Sequence, residues 1–324
     1  MTTIIRPPAV LARLRRRHTL AAGLLVGLAV AAWQLPVAAQ DGAGAKSDIG
    51  LSVFAAIVLG LVEGFTEYLP VSSTGHLLVT NELLGLGGTD EADDALDAYA
   101  ICIQAGAILA VLVLYQERIR QIIDGLLGRS EDGRRILLAV IAAFIPTAII
   151  GLTVADFVQE NLFGIVPIGI AWLIGGIGIL VLTRLGVLRR AGQELYEITW
   201  QQAAIIGVGQ AIALWPGVSR SLVTIVVAVL VGLTLRAAVE FSFLLGLVTL
   251  SAATALTALT DGELLVDTFG YVTPAIGLIV AFIAAIASVR WMVSWLEQRS
   301  FDVFGYYRIV IGIAALTAAA AGWL

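Results

Sequence analysis

Six stretches of the chain stay apolar for about 18 to 20 residues, long enough to cross a bilayer: roughly 98–115, 136–154, 165–183, 239–258, 270–289 and 306–323. Two further apolar regions, 50–86 and 200–234, are interrupted halfway by a proline and a polar cluster. The first reads Pro70-Val71-Ser72-Ser73-Thr74-Gly75-His76 and the second Pro216-Gly217-Val218-Ser219-Arg220-Ser221. Each looks like two half-length helices meeting at a loop. Irregular backbone at membrane depth is tolerated only where protein or a wet cavity satisfies it, so these regions are predicted to be re-entrant hairpins or broken helices. They are where a site is expected.

Composition narrows the class. With 59% hydrophobic and 13% charged residues and a mean hydropathy of +0.96, the chain is an integral membrane protein rather than a soluble enzyme, a disordered tail or a secreted disulfide scaffold. Its 34 glycines and the absence of short alternating segments favour helices packed through small residues over an outer-membrane barrel. The single cysteine, Cys102, lies in an apolar run and has no intrachain partner. A net charge of -5 and scattered basic residues give no nucleic-acid surface.

The distribution of charge sets an orientation. Arg118, Arg120, Arg129, Arg134, Arg135, Arg184, Arg189, Arg190, Arg236, Arg290, Arg299 and Arg308 fall in alternate connections and belong on the cytoplasmic side. The intervening loops, 79–97, 155–164 and 259–269, hold no Lys or Arg and carry acids, so they face outward. Apart from these arginines, Lys46 and the leader, the one basic residue left is Arg220. Residues 1–40 carry Arg13, Arg15, Arg16 and Arg17, an apolar stretch and Val37-Ala38-Ala39, and read as a signal peptide or an extra helix. Residues 41–324 then form one polytopic domain. A hairpin followed by three spans occurs twice, at about 50–183 and 200–323, starting from opposite sides. The expected fold is therefore an all-α integral membrane protein with six transmembrane helices plus two re-entrant helical hairpins in an inverted-topology repeat.

Chemistry-bearing residues gather at the two breaks. Glu63 and Glu67 share a helix face and repel each other, so they call for a metal ion, Arg220 or a shared proton unless they snorkel to the interface. Ser72, Ser73 and Thr74 with Gly75 offer hydroxyls and backbone N–H groups to an anion, or simply an N-cap. His76, the one histidine outside the leader, is an acid–base or anion-binding candidate beside a structural reading. Arg220, flanked by Ser219 and Ser221, suits bidentate phosphate or carboxylate binding, or a bridge to the Glu pair. Gln104 is an interhelical contact or part of the site lining. Glu240 is read as structural, with Arg236 in reach at i, i+4, and the tryptophans are expected mostly to mark interfaces.

The run Gly60-Leu61-Val62-Glu63-Gly64-Phe65-Thr66-Glu67-Tyr68-Leu69-Pro70-Val71-Ser72-Ser73-Thr74-Gly75-His76-Leu77 closely resembles the first signature of the undecaprenyl-diphosphatase, or bacitracin-resistance, family, and Leu214-Trp215-Pro216-Gly217-Val218-Ser219-Arg220-Ser221 resembles its second. Ile103-Gln104-Ala105-Gly106, Glu240-Phe241-Ser242-Phe243, and Ser300-Phe301 through Phe304 with Tyr307-Arg308-Ile309 near the end add to the likeness, which runs from about residue 50 to 320. Leu222 and Val227-Ala228 depart from glycines frequent in the family, on packing faces.

The resemblance implies a metal-dependent hydrolase of the bacterial inner membrane that removes one phosphate from undecaprenyl diphosphate at the outer face, recycling a carrier lipid for peptidoglycan. It implies Glu63 and Glu67 for a divalent cation (Mg2+ or Ca2+) or proton transfer, Ser73 as nucleophile or an activated water in its stead, and His76 as acid–base group. Ser72, Thr74, Gly75, Gln104, Gly217, Ser219, Arg220 and Ser221 would bind the diphosphate. Beyond lipid and membrane, a homodimer is compatible with the sequence. A lipid-phosphate flippase or carrier, or a non-catalytic lipid sensor, are the rival readings.

Overall fold

The structure is a computed structural model that describes residues 51–323, so the leader and its cleavage lie outside the described residues. Twelve α-helices and three short 3-10 turns carry the described chain, and the only β pairing among these residues is one isolated bridge between Gln193 and Leu233.

Six helices are long and apolar enough to cross a membrane. They are α3 (Asp90–Leu114), α5 (Glu131–Leu162), α6 (Ile165–Arg184), α9 (Leu235–Thr260), α11 (Val272–Gln298) and α12 (Asp302–Ala320). Each contains one of the six apolar stretches, shifted by a few residues at its ends. Side-chain caps start several of them: Thr89 accepts from the Ala92 N–H, Ser130 from Gly133 and Thr234 from Ala237. Asp90, Glu91 and Asp93 then sit in the first turn of α3, where the helix dipole favours acids. An amphipathic helix, α4 (Gln116–Leu126), and the short α10 (Gly262–Phe269) join spans.

The two interrupted regions are short helix pairs. In the first, α1 (Val53–Thr66) and α2 (Ser73–Leu84) flank a six-residue turn. In the second, α7 (Trp200–Gln210) runs through a 3-10 turn at Ala211–Leu214 into a loop before α8 (Arg220–Leu230). The N-cap residues of α2 and α8 share an uncommon backbone conformation, Ser72 at φ 75°, ψ 104° and Ser219 at φ 76°, ψ 114°. They are the two non-glycine residues with positive φ among the described residues. A serine held there is strained, a feature that clusters at functional sites.

Packing crosses between the halves of the chain. Helix α1 lies on α11, and α7 lies on α5. Both crossings depend on glycine: a Cβ on Gly60 or Gly64 would strike the carbonyls of Gly277 and Ala281, and one on Gly207 would strike that of Ala143. Close backbone approach through small residues is how helices associate where lipid removes the hydrophobic advantage.

Three expectations need correction. Arg308 is not a loop residue: it lies within α12 and is fully buried. Glu240 does not pair with Arg236 as the i, i+4 spacing suggests, because Arg118 of α4 reaches it at 2.5 Å. Trp172 is 2% exposed rather than interfacial, its indole N–H donating to the Val71 carbonyl at 2.9 Å.

Candidate active site

The end of α1 and the start of α2 bring Glu67 and Ser73 together. Glu67 extends α1 by one residue in helical conformation, the turn brings the chain back, and the Ser73 hydroxyl donates to Glu67 Oε2 at 2.5 Å. The other carboxylate oxygen, Oε1, accepts from Arg220 Nη2 at 3.0 Å. Residues 153 apart in sequence thus join the two breaks into one site. Arg220 Nη1 donates to the Ser242 carbonyl at 3.1 Å, its guanidinium carbon stands 5.4 Å from the Tyr68 ring centre, and Nε has no partner. Gly246 leaves the room this side chain occupies, since a Cβ there would meet the guanidinium.

A cavity of about 470 Å3 opens on this group. Glu67, Ser72, Ser73, Thr74, Gln104, Gly217, Ser219 and Arg220 line it among the expected site residues. Leu152, Leu214, Leu250, Ala253 and Leu256 supply apolar walls. Two lining residues were given no role by the sequence, Gln210 at the end of α7, outside both signatures, and Trp215 in the second loop, quoted in the second signature. Gln210 is 4% exposed with a buried Oε1 that lacks a partner, and the Trp215 indole N–H is likewise unpartnered. A glutamine six residues before the Pro216 break, inside an otherwise apolar run, was the available signal.

Other expected residues stand behind the cavity wall. The Ser221 hydroxyl, fully buried, donates to the Leu69 carbonyl at 2.8 Å and meets Ser219 Oγ at 3.0 Å. Gly75 packs against Trp172, whose ring a Cβ would strike, so this glycine admits α6 rather than a ligand. His76 Nδ1 lies 2.6 Å from the Ser72 carbonyl, which can only accept, so Nδ1 carries the proton. Its Nε2 meets the Tyr307 hydroxyl at 2.8 Å, and the two rings stack. Both imidazole nitrogens are thus engaged within the protein.

Glu63 is 1% exposed, one helical turn before Glu67, and its Oε1 has no hydrogen-bond partner. An acceptor without a donor next to a second carboxylate fits an oxygen-preferring divalent cation. Among the described residues no cluster of three or more His, Cys, Asp or Glu side chains exists. The donor set therefore suits an ion that takes one or two carboxylates and completes its shell from phosphate and water, as Mg2+ commonly does.

The family model described as Bacitracin resistance protein BacA matches residues 56–314. The chain belongs to the BacA family. Similar relatives include the Undecaprenyl-diphosphatase of Sorangium cellulosum, 42% identical over 81% of this chain and 85% of that protein. Undecaprenyl-diphosphatase 2 of Rhodospirillum rubrum is 39% identical over 82% of this chain and 95% of its own length. The Undecaprenyl-diphosphatase of Janthinobacterium sp. is 38% identical over 83% and 96%. The BacA match covers both breaks and every residue placed at the cavity above.

Proposed function

We propose that this BacA-family chain hydrolyses undecaprenyl diphosphate to undecaprenyl phosphate and inorganic phosphate, with the Ser73–Glu67–Arg220 group as its reactive centre. The observation that carries the assignment of roles is the 2.5 Å hydrogen bond from the Ser73 hydroxyl to Glu67. A nucleophile needs a base within hydrogen-bond reach, and Glu67 Oε2 is in place to take the proton. Ser73 Oγ attacks the terminal phosphorus as Glu67 takes its proton, the phosphoanhydride bond breaks, and undecaprenyl phosphate leaves carrying that proton from Glu67. Water then attacks the phosphoserine, Glu67 accepts the water's proton and returns it to Ser73 Oγ, and inorganic phosphate departs. Arg220, whose Nε has no partner, turns that N–H to a phosphate oxygen while keeping its charge beside the developing negative charge.

Glu63 and Glu67 would hold a divalent cation, Mg2+ or Ca2+, which when bound neutralises charge on the phosphate oxygens. Ser72, Thr74, Gln104, Gly217 and Ser219 would contact the diphosphate, and the apolar walls the first isoprene units. The two short helix pairs are read as re-entrant hairpins of an inverted repeat. The paired Ser72 and Ser219 conformations and the exchanged packing of α1 and α7 support that reading. The loop arginines favour an inner-membrane protein with its site facing outward.

Inorganic phosphate release from undecaprenyl diphosphate by detergent-purified protein tests the activity, run with and without EDTA beside Glu67→Gln and Arg220→Ala. Release that needs a divalent cation and collapses in both variants is the expected result. No release from folded wild-type protein would turn the reading to a lipid-phosphate carrier. For orientation, Asp94→Cys in a Cys102→Ser background should react with an impermeant thiol reagent in intact spheroplasts. Labelling only after lysis would place the site on the cytoplasmic side.

A further inference from the structure

Four successive backbone carbonyls in the first loop are each taken by a side chain from a different part of the chain. Ser221 donates to Leu69, Arg308 Nη1 to Pro70 at 3.3 Å, Trp172 to Val71 and His76 to Ser72. Two of these donors also tie the first loop to the second break: Ser221, which meets Ser219 Oγ, and Arg308, which alone reaches the second loop's backbone. Arg308 Nη2 donates to the Gly217 carbonyl at 2.8 Å and to that of Ala171 in α6 at 3.0 Å.

We propose that Arg308 is a positioning residue that locks the two loops in register, so that Ser73 and Glu67 from one stand opposite Arg220 from the other. The inference rests on the phosphatase reading given above. It draws on three observations. Arg308 is 0% exposed and does not line the cavity, so it acts through the loops and not on the lipid. It forms no ion pair with a carboxylate among the described residues, so the backbone carbonyls are its binding partners. The fold also makes space for it: a Cβ on Gly175 of α6 would collide with the guanidinium. A planar fork of five donors is the side chain that reaches carbonyls on three separate elements, and an ammonium at the same place reaches fewer.

The test compares Arg308→Met and Arg308→Lys with wild type in the phosphate-release assay, together with hydrogen–deuterium exchange of the purified proteins. A lost register should lower kcat about 100-fold in Arg308→Met, as expected for a displacement of about 1 Å between reacting groups, with KM for undecaprenyl diphosphate within about threefold of wild type. Arg308→Lys should recover part of kcat. Amide exchange should quicken in peptides covering both 68–76 and 215–222, whether or not the lipid is turned over. Unchanged protection in both loops would overturn the proposal, as would a rise in KM at constant kcat, which would make Arg308 a lipid contact. If Arg308→Met does not fold, the Lys variant decides on the same two readouts. Absence of phosphate release from wild type would remove the phosphatase reading alone, since the exchange measurement stands without turnover.

Discussion

The two broken regions are built alike and equipped differently. Both place a short helix against a long helix from the other half of the chain through glycine, and both start their second helix behind a serine held at positive φ. Yet 53–84 contributes Glu63, Glu67 and Ser73, the acids and the reactive hydroxyl, whereas 200–230 contributes Gln210, Trp215 and Arg220, an amide, an indole and a cation. Shared architecture with divided chemistry means that neither half holds a site on its own. A negative group at one break and a positive one at the other also let each offset the burial of its counterpart.

Several changes would sharpen or break that division. The largest effect is expected at the acid side: Glu67→Gln keeps the shape and removes the base, so phosphate release should fall by about 10²- to 10⁴-fold. Normal turnover in this variant would remove Glu67 from the chemistry. On the basic side, Arg220→Lys keeps the charge but loses the fork that holds both Glu67 and the Ser242 carbonyl, and kcat should drop by about 10²- to 10³-fold. A Lys variant equal to wild type would show that charge alone suffices.

The shared architecture is tested by Gly64→Ala and Gly207→Ala, whose new methyl groups meet backbone carbonyls at the two crossings. Each should destabilise the protein by about 1 to 3 kcal/mol in detergent, to a similar extent. A cost confined to one crossing would show that the resemblance between them is superficial. The smallest effect belongs to Glu240→Gln. It breaks a partly exposed pair with Arg118 away from the cavity and should cost at most about 1 kcal/mol with kcat unchanged.

Much of this was legible in the sequence, for physical reasons that differ between elements. The six spans follow from the length of apolar runs, and the breaks from prolines next to hydroxyls where lipid would otherwise forbid them. Glu67, Ser73 and Arg220 stood out because polar residues are costly in such surroundings. Arg308 appeared only within the Tyr307-Arg308-Ile309 likeness and among the loop arginines, because an arginine close to the start of an apolar helix looks the same as one in a loop. Its meaning lies in carbonyls up to 238 residues away, Pro70 being the farthest. The pairing of His76 with Tyr307, 231 residues apart, is hidden for the same reason. Glu240 shows the opposite failure: a local partner at i, i+4 was available in Arg236, and a distant one in Arg118 took its place.

The packing of α1 on α11 also governs how the protein is made. Gly64 leaves the ribosome about 220 residues before its neighbour Ala281, a wait of roughly 10 to 40 s at ordinary rates of synthesis. Through most of that interval the helix bearing Glu63 and Glu67 has neither its packing surface nor its arginine. A nascent chain of this design needs shelter at the insertion machinery until its final spans emerge, and truncations near the C-terminus should be cleared by quality-control proteases rather than accumulate as half-active enzyme.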